Sequence, residues 1–216
     1  MAFSFPLTRA AFLNLLPVQD VRFYLGQQHQ IAGLGGGEIL KAETGPALWR
    51  GSVDLAPMKS RTAAEFEALI AVLEAPGASF EACKPNQTGP AGDPGGALLG
   101  ASTPEIMEIS GDGSRLKLQD LPNGYTFAPG DFLSFTYNTD RTALHRCASG
   151  GTSALGSTGF IDVVPFVRVT FPAAAVAVEI IRPYCRAVLV PGSVDYGTTR
   201  NGITSGVSFQ FQQTLR

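Results

Sequence analysis

Charge is scarce in this chain: Asp, Glu, Lys and Arg together make up 16% of it, against 44% hydrophobic residues. A surface so poor in charge suits a protein that hides part of that surface in contacts with others. No basic excess exists either, since the formal net charge is −2 and the pI is near 5.7. That balance provides no field for holding phosphates by counterion release, so specific nucleic-acid binding is not expected. There are only two histidines, His29 and His145, and neither has a second histidine or a carboxylate at metal-ligand spacing. The three cysteines, Cys83, Cys147 and Cys185, are widely spaced, odd in number and without a C-x-x-C pair, which excludes a disulfide framework and a zinc knuckle. No apolar run reaches the roughly 18 residues of a membrane span. Pro6, Arg9, Asn14 and Pro17 interrupt the apolar residues near the N-terminus, so no signal-peptide core is read there and synthesis in the cytoplasm is expected.

What the chain does have is glycine and proline, 25 and 15 residues, spread as punctuation between short β-rich runs. With 216 residues it suits one large domain or two modest lobes. Strands are expected at 21–25, 38–43 and 47–55, the last with Trp49, Val53 and Leu55 facing a core. The glycines of 31–37 read as a mobile loop. One helix is expected from Ser60 to about Glu74, with Phe66, Leu69, Ile70 and Leu73 on one stripe, Thr62 and Glu65 at capping-box spacing, and Pro76-Gly77 as its stop.

Residues 84–104 carry Pro85, Pro90, Pro94 and Pro104 among five glycines, and read as a connector without regular structure. Short strands follow at 105–109, 115–119, 131–137, 141–147 and 160–164, with turn signals at Gly111-Asp112-Gly113, Asn123-Gly124 and Gly150-Gly151, a pattern that favours a small antiparallel barrel. Longer strands are expected at 176–182 and 186–190, then a turn-rich stretch over 191–202. The last run, 207–212, alternates apolar and polar strictly and is expected to pair with the first lobe. The organisation read from this is a discontinuous β domain, 1–83 plus 165–216, with a small barrel inserted at 84–164.

Candidate chemistry is thin. The glycines of 33–37 lack the Lys-Ser/Thr of a phosphate loop and run into Glu38. His145 and Cys147 share a strand face but have no oriented third group. Glu65 and Glu67 lie on the solvent side of the helix, while Asp93 belongs to no carboxylate cluster. Asp112 reads as a turn residue, and Asp131 begins a strand. Trp49, Tyr24, Tyr125, Tyr137, Tyr184 and Tyr196 offer stacking platforms for sugars, with core packing as the alternative for Trp49. No catalytic, cofactor-binding or metal-binding residue is therefore assigned, and neither an enzyme activity nor a cofactor is expected.

The order of several pieces resembles the distal tail proteins of long-tailed bacteriophages (siphophages) and gene transfer agents. These are Ala47-Leu48-Trp49-Arg50-Gly51 through Ala56-Pro57-Met58, the Glu/Ala/Phe helix, and the Pro/Gly connector after Phe80. Then come Phe127-Ala128-Pro129-Gly130-Asp131-Phe132, Val164-Pro165 with Arg168, and the closing stretch from Arg182-Pro183-Tyr184 to Gln213. The resemblance implies a mainly β fold with one flanking helix: a β-sandwich or split-barrel, tube-like ring domain with an inserted small OB-like β-barrel. It also implies a structural virion protein, a homohexameric ring at the distal end of the virion tail. That ring would join the tail tube and tape-measure protein to the hub or baseplate and let DNA pass. Carbohydrate binding by a virion-associated β module is the alternative.

Overall fold

The computed structural model describes residues 3–33, 35–137, 141–168 and 175–215. The fold is mainly β, 49% strand with one α-helix. In chain order the strands are β1 (Val18–Gly33), β2 (Ile39–Leu55) and β3 (Met58–Lys59), followed by helix α1 (Ser60–Leu73) and β4 (Phe80–Ala82). Next come β5 (Glu105–Ile109), β6 (Arg115–Gln119), β7 (Thr126–Phe127), β8 (Phe132–Tyr137), β9 (Arg141–Cys147), β10 (Gly151–Ala154), β11 (Ser157–Thr158), β12 (Ile161–Val164) and β13 (Val178–Glu179). The chain ends with β14 (Cys185–Leu189), β15 (Asp195–Arg200) and β16 (Ile203–Gln213). Two compact units result, Met1–Phe80 with Ala187–Thr214, and Glu81–Arg186 with Leu215–Arg216. The return to the first unit thus falls at Ala187 rather than at 165, because β13 pairs with β8, Val178 opposite Phe135.

The first unit is organised by a sheet in the order β1-β2-β16-β14-β4, with β15 and β3 also paired to β16. The alternation of β16 does what such a pattern requires: Val207, Phe209 and Phe211 are buried while Gln210 is exposed. Opposite them, β2 contributes Trp49, Val53 and Leu55, all buried. Rings dominate this core. Phe23 stacks on Trp49 at 5.1 Å between centroids, and Phe80 meets Phe12 and Phe211 edge-on at 5.0 and 5.7 Å.

Helix α1 buries Ala63, Phe66, Ile70 and Leu73, a stripe rotated slightly from the expected one, with Leu69 only half-covered. The capping box does not form. The N-cap is Lys59, without a side-chain bond, and Thr62 and Glu65 lie inside the helix. Instead the Ser60 amide donates to the Gly202 carbonyl at 3.0 Å, so a neighbouring turn replaces the side-chain cap.

Three further expectations change. Residues 31–33 are strand rather than loop, held by the pairs Ile31↔Lys41, Ala32↔Leu40 and Gly33↔Ile39; residue 34 lies outside the described residues. The stretch 176–182 forms only the two-residue β13, because Arg182 takes a positive φ and Pro183 follows it. The turn-rich stretch 191–202 contains β15, which forms a hairpin with β16.

In the second unit six strands run in the order β13-β8-β9-β12-β6-β5, and a bridge between Glu105 and Ala177 nearly closes them into a barrel. A three-stranded sheet, β11-β10-β7, accompanies them. Ile106, Leu116, Leu118, Leu133, Phe135, Ile161 and Val163 fill the interior. Residues 84–104 form no strand or helix, yet they are tied down. Asp131 accepts from the Ala91 amide at 2.9 Å, Asp93 accepts from the Leu99 amide at 2.9 Å, and the Arg182 amide donates to the Thr88 carbonyl at 2.6 Å.

Candidate functional site

The residues with chemical potential are scattered and mostly occupied structurally. Asp112 accepts from the Ser110 hydroxyl at 2.6 Å and from the Ser114 hydroxyl and amide at 2.8 and 3.1 Å. These donors hold its carboxyl far below the usual carboxylate range and make it the pin of a tight turn. Asp131 is buried and caps its own turn, accepting from the Ala128 amide at 2.7 Å. Glu65 is exposed and Glu67 half-exposed on α1.

His145 and Cys147 both lie on β9 and are buried. The Nδ1 of His145 donates to the Pro165 carbonyl at 2.7 Å, and its ring stacks on Phe135 at 5.2 Å. Its Nε2 is buried without a hydrogen-bond partner among the described residues, so a proton there would meet no acceptor. Burial accordingly pushes its pKa down to about 4, and the same cause pushes the Cys147 thiol up to about 12. At neutral pH the pair is therefore a neutral imidazole and a protonated thiol, neither prepared for attack. Cys185 is fully buried, and burial raises its thiol well above the ordinary range. His29 is exposed on β1 and bonds to Gln27.

Trp49 is core, and so is Tyr125, which packs edge-on against Phe127 at 5.5 Å. Tyr137 and Tyr184 are half-buried, while Tyr24 and Tyr196 are exposed. The hydroxyl of Tyr196 donates to Glu74 at 2.8 Å. Among the described residues, no group of three or more His, Cys, Asp or Glu is placed to hold a metal ion, and no helix is long and apolar enough to cross a membrane.

Two features were not visible as sites in the sequence. The first is an arm. β2 pairs with β16 only over Arg50 to Asp54, so residues 27–33 and 39–46 form a two-stranded ribbon beyond the main sheet. Nearly every residue of that ribbon is exposed, including Ile31 and Ile39 at 64% and Leu40 at 54%. β1 is also the last strand of its sheet. The second is a cavity of about 510 Å³ in the second unit, lined by Leu99, Val176, Ile180 and Ile181 together with Thr136 and Thr142. Ser102, Thr103, Ser134 and Glu179 also line it, so its wall mixes apolar and polar side chains.

No protein-family model matches this chain, and no curated protein matches it.

Proposed function

We propose that the chain is a ring-forming distal tail protein of a long-tailed bacteriophage or gene transfer agent. Six copies would close a ring at the distal end of the tail, joining the tail tube and tape-measure protein above to the hub or baseplate below. The observation that carries this reading is the arm. An isolated two-stranded ribbon is marginal in water, and one tipped with Ile31, Ile39 and Leu40 loses apolar contact wherever it stands alone. Contact with a neighbouring subunit supplies the missing cover. An unpaired strand edge such as that of β1 is a natural joint for it. A head-to-tail contact of this kind closes into a ring when its rotation divides the circle. The mild negative charge fits a lumen through which DNA passes without being gripped.

Electron microscopy and light scattering of the purified full chain at high concentration test the proposal. Rings or discrete oligomers are expected. Replacing residues 30–42 by Asn-Gly would join the opposed residues His29 and Glu43 through a two-residue turn. This variant should keep its melting temperature and lose the assembly. An obligate monomer that binds neither tube nor hub subunits overturns the reading.

A further inference from the structure

The chain holds two Asn-Gly steps, Asn123-Gly124 and Asn201-Gly202, each exposed in a turn with its glycine at a φ of 78°. Such a step is chemically labile. The backbone nitrogen of the second residue can attack the side-chain carbonyl carbon of the first, and glycine has no Cβ to obstruct the approach. Exposure and local sequence do not distinguish the two steps; hydrogen bonding does.

Asn123 is held at both reacting groups. Its side-chain oxygen accepts from the Leu155 amide at 3.2 Å, and the Gly124 amide, which would have to attack, donates to the Ser153 carbonyl at 3.0 Å. Ser153 is buried, and its hydroxyl accepts from the Tyr125 amide at 2.9 Å, so the turn is fastened from beneath. Asn201 stands instead at the tip of the β15–β16 hairpin, where Arg200 pairs with Ile203. Neither its side chain nor the Gly202 amide makes a hydrogen bond among the described residues. Its φ of 51° lies in the left-handed region, so the backbone there gains by relaxing.

We infer that Asn201 is a site of spontaneous modification, converting to aspartate and isoaspartate in the folded chain while Asn123 is spared. The Gly202 nitrogen bonds to the side-chain carbonyl carbon of Asn201, gives up its proton to solvent base and expels ammonia, which leaves a cyclic imide. Water opens that ring at either carbonyl. One opening restores the main chain with an aspartate; the other routes the main chain through the side chain as isoaspartate and lengthens it by a methylene. The longer product reaches helix α1. The Gly202 carbonyl accepts from the Ser60 amide at 3.0 Å, and the next residues, Ile203 and Thr204, pair with Lys59 and Met58. A lengthened link at 201 draws that carbonyl away from the helix start and leaves the Ser60 amide without its partner. This holds whether or not the chain forms a ring.

The test ages the full chain in mildly alkaline buffer, folded and, in parallel, unfolded in concentrated urea. Mass spectrometry follows both peptides, and an isoaspartyl methyltransferase marks the rearranged product. In the folded chain the 201 peptide should convert about tenfold or more faster than the 123 peptide, whose two hydrogen bonds must first open. In urea, where neither turn survives, the two rates should come within about threefold of each other. Equal rates in the folded chain, or a 201 peptide that stays intact there while it converts in urea, overturn the inference. Asn201→Gly keeps the positive φ and removes the side chain that cyclises. The aged variant should hold its melting temperature while that of the aged wild type falls. A wild type that carries isoaspartate at 201 and melts unchanged overturns the link to α1.

Discussion

The backbone amide of Trp49 donates a hydrogen bond to the side-chain carbonyl of Gln213 at 3.2 Å, across a sequence separation of 164 residues. The bond is buried and fastens the last residue of β16 beside the largest side chain of the first core. Gln213→Ala removes that acceptor inside the core. It should cost about 1 to 3 kcal/mol, the usual penalty for a buried donor left without its partner. Urea unfolding of the two proteins measures it, and an unchanged midpoint would contradict the geometry.

Helix α1 gives a paired prediction. Ile70 is fully buried and Leu69 only half-buried, although both belong to the expected apolar stripe. Ile70→Ala should destabilise by about 2 to 5 kcal/mol, the range for emptying a packed site. Leu69→Ala should cost clearly less, because water already reaches that side chain. Thermal melts of both variants decide it; equal losses would mean that the helix is rotated from its observed face.

The barrel strands and the C-terminal strand were legible because their signals are local. Gly111-Asp112-Gly113 and Asn123-Gly124 mark turns, and Val207, Phe209 and Phe211 alternate with polar residues. What escaped is held by partners rather than by pattern. β15 is largely exposed and carries Gly197, so only its pairing with β16 makes it a strand. The outer half of β1, with Gln27, Gln28, His29 and Gln30 before Gly33, carries no strand pattern of its own and gains its form from β2, whose 39–43 stretch was legible as strand. The capping box does not form because the helix begins at Ser60, which places Thr62 inside it rather than at the N-cap, and the Gly202 carbonyl takes the Ser60 amide. The arm could not be read from sequence either, since it is defined by exposure.

Gly51 marks the tightest approach in the first core. A Cβ there would overlap the ring of Phe211 and lie 2.8 Å from the Arg22 carbonyl oxygen. Neither backbone oxygen nor packed ring can withdraw freely, so Gly51→Ala should destabilise by about 1 to 3 kcal/mol through overpacking. Gly206 is a control in the same unit: a Cβ there meets nothing closer than 3.9 Å, so any loss in Gly206→Ala arises from its positive φ of 81° alone. Pairing Gly51→Ala with Phe211→Leu tests the cause. The double variant should lose less than the sum of the single ones, because the shorter side chain vacates the contested space.

Acidification should weaken the second unit through His145. An imidazole in the unfolded chain titrates near 6.5, while burial without an acceptor for Nε2 holds the folded one at about 4. Above pH 6.5 both states carry a neutral ring and the difference contributes nothing. As pH falls from 6.5 to about 4 the unfolded chain takes up a proton that the folded chain refuses, so stability drains across that window and levels off below it. The full drop corresponds to about 3 kcal/mol. Carboxylates titrate in the lower part of the same range, so the comparison must be with a variant. His145→Asn keeps a donor for the Pro165 carbonyl but has nothing to protonate, and its stability should fall less steeply between pH 6.5 and 4 than that of the wild type. Unfolding midpoints in urea at pH 7.0, 5.5 and 4.5 measure the two slopes, and parallel slopes would mean that His145 protonates in the fold as readily as in solution.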